Sequence, residues 1–134
     1  MDTPQFQRLR DLKQLGCAYL VFPGASHNRF EHCIGVSHLA QQMMDHLAVT
    51  QPELQITEHE ILLVKIAGLC HDLGHGPFSH CWEEFIHAEN PNSTFRHERM
   101  SLQMLEWLIQ EVNIHTDNTH TTCDKQRHAW WQEC

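Results

Sequence analysis

A chain of 134 residues, 41% hydrophobic and with a formal net charge of −8, is at most one domain and long enough for a single core. The acidic balance excludes a general nucleic-acid binder, which needs a surplus of Lys and Arg on one face; the bases that do gather, Arg8, Arg10, Lys13 and Arg29, suit a small polyanion better than a duplex. No apolar run approaches the roughly 18 residues of a membrane span, and no apolar signal segment follows Met1, so no membrane partner and no secretion are expected.

Asp2-Thr3-Pro4 opens a helix with Asp or Thr as cap and Pro in the first turn, and Phe6, Leu9, Leu12 and Leu15 carry it at helical spacing to Gly16. Because the chain begins inside a capped helix, a fragment of something longer is expected. Cys17 to Phe22 is β-prone and closed by Pro23-Gly24, which predicts a short extended segment. From Ser26 to about Leu47 the spacing predicts a helix with a stripe of Phe30, Cys33, Ile34, Val36, Ala40, Met43 and Leu47, His32 lying off its centre. Thr57-Glu58-His59-Glu60 has the form of a capping box, in which the threonine oxygen accepts from a free backbone N–H and the glutamate reaches back. Ile61 to Cys70 is almost continuously apolar and predicts a central buried helix, with Gly68 allowing close helix contact. Phe78 to Ile86 predicts a further turn or two of helix, and His97 to Val112 an amphipathic helix burying Leu102, Leu105, Leu108, Ile109 and Val112. Residues 113–134 show no period and read as a tail, disordered or foreign to the domain 1–112.

The chemistry concentrates in Cys70-His71-Asp72-Leu73-Gly74-His75-Gly76-Pro77-Phe78-Ser79-His80, read with Arg29-Phe30-Glu31-His32. In a chain with thirteen histidines a lone pair would read as ordinary core or surface residues. Here the glycines and the proline stop the helix at the cluster. His71 and Asp72 cannot point the same way from a regular helix, but at an unwinding end both can reach one divalent transition ion such as zinc, iron or manganese. Glu83, three residues after His80, is placed to orient that imidazole. Six cysteines without a CxxC pair read as reduced, and the chain as intracellular, in nucleus, cytoplasm or both.

His32 followed by His71-Asp72 resembles the HD-domain metal phosphohydrolases, which are all-α. Asp2 to Arg10, Phe22 to His32 and Ala67 to His80 narrow the likeness to the vertebrate sterile-alpha-motif and HD-domain deoxynucleoside triphosphate triphosphohydrolases, over about residues 2–112. The resemblance implies a partial HD/PDEase-like helical domain in which His32, His71 and Asp72 hold the metal. It makes His75 and His80 catalytic beside the α-phosphate and His97 a further pocket histidine. Arg29 would contact phosphate, with Gln14 and Leu15 at the sugar. A regulatory GTP or dGTP would contact Asp2, Gln7 and Arg10, with Val21 and Phe22 near the adjoining nucleotide, and would build a homotetramer. The implied reaction converts a dNTP to deoxynucleoside and triphosphate, with Mg admitted alongside the nucleotide; single-stranded nucleic acid is allowed as a partner but not indicated.

Two departures accompany the likeness. The family's fourth ligand, an aspartate on a later helix, lies beyond the resemblance, and neither Asp117 nor Asp124 has matching neighbours. Weak or absent turnover is therefore expected, and two alternatives stand: a non-catalytic interaction or regulatory fragment, and another HD phosphohydrolase.

Overall fold

The computed structural model describes residues 1–116, with side chains to residue 112. The described residues are helical and contain no strand, with one isolated bridge between Lys13 and Asn28. The elements are α1 (Pro4–Gln7), 3-10 turns at Arg8–Asp11 and Gly16–Leu20, α2 (Arg29–Thr50), a 3-10 turn at Pro52–Leu54, α3 (Glu58–Cys70), α4 (His80–Glu89) and α5 (His97–Thr116). The tail read from residue 113 lies mostly outside the described residues, α5 itself running to Thr116.

Two capping boxes start α2 and α3. Thr57 and Glu60 close the expected one on α3, and Asn28 with Glu31 forms a second on α2, the Asn28 side chain accepting from the Glu31 N–H. This moves the start of α2 to Arg29, three residues later than the periodicity alone suggests. α2 and α3 pack along each other, and at Gly68 the approach is tight: a Cβ there would meet Ser37 Cα at 3.3 Å.

The core is small. Phe6, Leu9, Phe30, Cys33, Leu73 and Met104 are buried together, with Leu12, Leu69, Cys70, Met100, Leu105 and Leu108 packed around them. Phe6 meets Phe30 edge-on at 5.1 Å between centroids, and Gln5 Nε2 donates to Glu111 Oε2 at 2.7 Å, so the N-terminal turn bridges α2 and α5.

Five expectations are corrected. The first helix is α-helical only to Gln7, tightens to 3-10 geometry, and ends at Asp11 rather than at Gly16. Its next backbone groups pair elsewhere, Arg29 N–H with the Leu12 carbonyl at 2.9 Å and Gln14 N–H with that of His27 at 3.1 Å. The segment 17–22 is a 3-10 turn instead of an extended one, because no second strand offers it a ladder among the described residues. α3 is not buried: Leu62, Leu63, Val64 and Ile66 are exposed, since only one of its faces meets α2. On α5 the buried positions are Ser101 and Met104, with Leu105 and Leu108 half-buried, whereas Leu102, Ile109 and Val112 face solvent. The same holds for Ile34 and Met43 on α2.

Candidate metal centre

α3 ends at Cys70, and the chain turns through Leu73 N–H to the Cys70 carbonyl (3.2 Å) and His75 N–H to the Asp72 carbonyl (3.2 Å). This unwinding lets neighbouring residues face one point. His71 Nδ1 is 2.8 Å from the Gly68 carbonyl; a carbonyl only accepts, so Nδ1 is the donor, and in the neutral ring Nε2 keeps its lone pair. That lone pair is turned on Asp72 Oδ1 at 3.2 Å, while His32 Nε2 lies 3.4 Å from Asp72 Oδ2. The two imidazoles meet edge-on at 5.3 Å. Burial pushes the His32 pKa below its ordinary value, despite the opposing pull of Asp72. For Asp72, burial works against ionisation, but His75, Arg29 and His71 outweigh it and hold the carboxyl well below the usual carboxylate range.

His32, His71 and Asp72 each place a ligand atom within 4.8 Å of the others, and two neutral imidazoles with one carboxylate are a suitable donor set for a divalent ion with bonds of about 2.0–2.2 Å. The residues therefore fit a divalent metal.

Arg29 is almost fully buried and pairs with Asp72 Oδ2 and the Ser79 hydroxyl. Where the resemblance implies a phosphate contact, the guanidinium is here committed to the carboxylate. Ser79 donates in turn to the Gln14 carbonyl at 2.7 Å, so Gln14 enters through its backbone, and Leu15 is exposed. Phe78 and Ser79 hold φ of 60° and 62°, a conformation costly for residues with a Cβ and one that collects at functional loops.

A second cluster adjoins the first. His75 stacks on His97 with centroids 4.0 Å apart and meets His80 edge-on at 4.8 Å. Glu83 does not orient His80 as expected: its Oε2 accepts from His97 Nδ1 (2.7 Å) and from the His97 backbone N–H (3.2 Å), and its Oε1 from Arg96 (2.9 Å). The start of α5 presents a free N–H and a positive dipole end to this carboxylate, which His80, on Glu83's own helix, does not. Burial opposes ionisation of Glu83, but these contacts bring its pKa down to about 2.

Sequence reasoning missed the supports. Arg8 donates to the Leu73 and His75 carbonyls at 2.8 and 2.6 Å, and Ser101 Oγ accepts from Gly74 N–H at 2.9 Å while donating to the His97 carbonyl at 2.9 Å. Nothing in the letters marks these two, because the loop groups they hold, the Leu73 and His75 carbonyls and the Gly74 N–H, are distant from them in sequence. Of the residues read as an allosteric nucleotide contact, Gln7 and Arg10 are joined, Arg10 Nε donating to Gln7 Oε1 at 2.8 Å with its guanidinium 3.6 Å over the Phe30 ring. Asp2, Val21 and Phe22 are exposed, and among the described residues no hydrogen bond or ring contact links Phe22 to Gln7 or Arg10.

The chain is 60% identical over 114 residues to the deoxynucleoside triphosphate triphosphohydrolase SAMHD1 homolog of Dictyostelium discoideum, covering 85% of this chain and 22% of that protein. It is 60% identical over 115 residues to deoxynucleoside triphosphate triphosphohydrolase SAMHD1 of Mus musculus (85% and 18%) and to that of Bos taurus (85% and 20%). The chain thus spans about a fifth of the length of the curated relatives it matches. The HD domain family model matches residues 29–121. With His32, His71 and Asp72 converging inside that range, the chain belongs to the HD domain family.

Proposed function

We propose that this chain carries the metal-binding and catalytic portion of a dNTP triphosphohydrolase, converting a dNTP and water to a deoxynucleoside and triphosphate. The observation that carries the reading is the convergence of the His71 Nε2 lone pair and His32 Nε2 on the Asp72 carboxylate, at 3.2 and 3.4 Å; the name of the relatives supplies the substrate class. A divalent ion bound there supplies Lewis acidity toward a phosphoryl oxygen and makes water a better nucleophile. His80, exposed beside His75, donates its proton to the departing 5′-oxygen as the bond from the α-phosphorus breaks. His75 and His97 line the α-phosphate, Glu83 fixing the His97 ring through Nδ1. Arg29 reaches phosphate only by exchanging its hold on Asp72. Gln14 and Leu15 flank the sugar, and Gln7 and Arg10, with Asp2, Val21 and Phe22, bind a guanine-nucleotide effector in a homotetramer of the longer protein. An intracellular setting, nucleus or cytoplasm, goes with this substrate.

Incubating the purified chain with dGTP and Mn²⁺ or Zn²⁺ tests the reading: deoxyguanosine and triphosphate are expected. Monophosphate with pyrophosphate would move the chain to another HD phosphohydrolase. A second reading, a non-catalytic nucleotide- or subunit-binding fragment, is favoured by the exposed apolar face of α3 and by a group of only three ligands among the described residues. Metal uptake without any product would select it.

A further inference from the structure

Ser79 immediately precedes α4, the position from which a serine hydroxyl ordinarily accepts a free N–H of the helix that follows. Here it makes no such bond. Its backbone sits at φ 62° and ψ −131°, a region that glycine enters freely and a residue with a Cβ enters only at a cost. A serine that gives up its cap and takes a glycine conformation is kept there by what its hydroxyl does instead.

Ser79 is 4% exposed, and the bonding capacity of its hydroxyl is fully used. A hydroxyl has one hydrogen and two lone pairs. The hydrogen goes to the Gln14 carbonyl at 2.7 Å, and the lone pairs take Arg29 Nε at 3.0 Å and Arg29 Nη2. Nothing is left for the helix. The remaining guanidinium nitrogen, Nη1, donates to Asp72 Oδ2. One edge of Arg29 is therefore held by a neutral oxygen anchored to the backbone, and the other faces a carboxylate of the candidate metal centre. Asp72, as a metal ligand, can exchange partners. Ser79 and the Gln14 carbonyl have no such alternative.

We infer that Ser79 is a positioning residue for Arg29: it fixes the guanidinium through Nε and Nη2, so that Nη1 alone exchanges Asp72 for a phosphate oxygen. Because the guanidinium is planar and rigid, holding one edge aims the other. The hold on Arg29 stands by itself, and its use toward phosphate rests on the hydrolase reading. Ser79 thereby joins the phosphate-recognition machinery without touching phosphate.

Ser79→Gly and Ser79→Ala in the full chain test the assignment. Both lose the hydroxyl, but only glycine relieves the backbone, so Ser79→Gly is expected to melt above Ser79→Ala. Despite that difference in stability, both are expected to lose the solvent-protected Arg29 Nε–H resonance that the wild-type chain shows by heteronuclear NMR. Both, when zinc-loaded, should bind the Mg²⁺ complex of inorganic triphosphate roughly 10–100-fold more weakly than the wild type. In the background of Arg29→Lys, which keeps the charge but not the fork, Ser79→Gly should cost no further affinity. Survival of the protected Arg29 Nε–H signal in Ser79→Gly overturns the inference, as does an equal loss of affinity on adding Ser79→Gly to Arg29→Lys. A wild-type chain that takes up zinc but not triphosphate overturns the phosphate half together with the hydrolase reading, while the Nε–H signal still decides whether Ser79 holds Arg29.

Discussion

Arg8 Nη2 donates to the carbonyl of His75 at 2.6 Å, across 67 positions of sequence. With Nη1 on the Leu73 carbonyl at 2.8 Å, one guanidinium holds both ends of the turn that carries Gly74. Arg8→Ala leaves two inward carbonyls unpaired and should cost about 2–4 kcal/mol, seen as a lower urea midpoint. Arg8→Lys, able to satisfy one carbonyl, should fall between; equal stability of all three chains would remove Arg8 from the site's support.

Asp72 and Arg29 form a buried pair, and deleting one partner strands the other charge. Arg29→Leu should destabilise the metal-free chain by about 3–5 kcal/mol, and the Arg29→Leu/Asp72→Asn double variant by less than the sum of its singles. Adding Zn²⁺ should rescue Arg29→Leu more than it stabilises the wild type, because a cation at His32, His71 and Asp72 replaces the lost positive charge. A melt of Arg29→Leu that ignores zinc would contradict the metal assignment.

A Cβ at Gly74 would run into the backbone of Ser101 and His97, which cannot turn aside as a flexible side chain would. Gly74→Ala should therefore push α5 from the loop and cost roughly 3 kcal/mol or more, read in denaturant titrations. An unchanged midpoint would mean that α5 does not pack as described.

Glu83 is held down to about 2 from its ordinary 4.5. A depressed acid stabilises the fold fully above pH 4.5 and loses that contribution as pH falls toward 2. The melting temperature of the wild type should exceed that of Glu83→Gln by a few degrees at pH 6–7, and the gap should shrink on acidification below 4.5. A gap constant with pH would show that the carboxylate's charge contributes nothing.

Leu62, Leu63 and Ile66 give α3 an exposed apolar face. Self-association and poor solubility are expected of the isolated chain, and Leu63→Lys should reduce light scattering at equal concentration. A soluble monomer with a sharp cooperative melt would contradict the expectation.

What was readable from the letters alone follows from local rules. Thr57 and Glu60 announce a helix start by their spacing, Gly68 announces a close approach, and His71-Asp72 followed by glycines announces a helix that unwinds among ligands; each depends on residues a few positions apart. Ile61 to Cys70 misled because apolar content measures the tendency to be covered, while cover itself comes from other segments, and among the described residues it reaches one side and the C-terminal end of α3, leaving Leu62, Leu63, Val64 and Ile66 exposed. Cys17 to Phe22 misled likewise, since β propensity forms no strand without a partner edge. Sequence by itself singled out His32, His71 and Asp72 as a candidate donor set, and the fold brings their ligand atoms within 4.8 Å of one another. Tertiary structure decided who serves those donors: Arg29 goes to Asp72, Glu83 to His97 rather than His80, and Arg8 to the His75 carbonyl. Such pairings join positions 14 to 67 residues apart, where no helical period reaches and only the packing of separate elements on one another sets the distance.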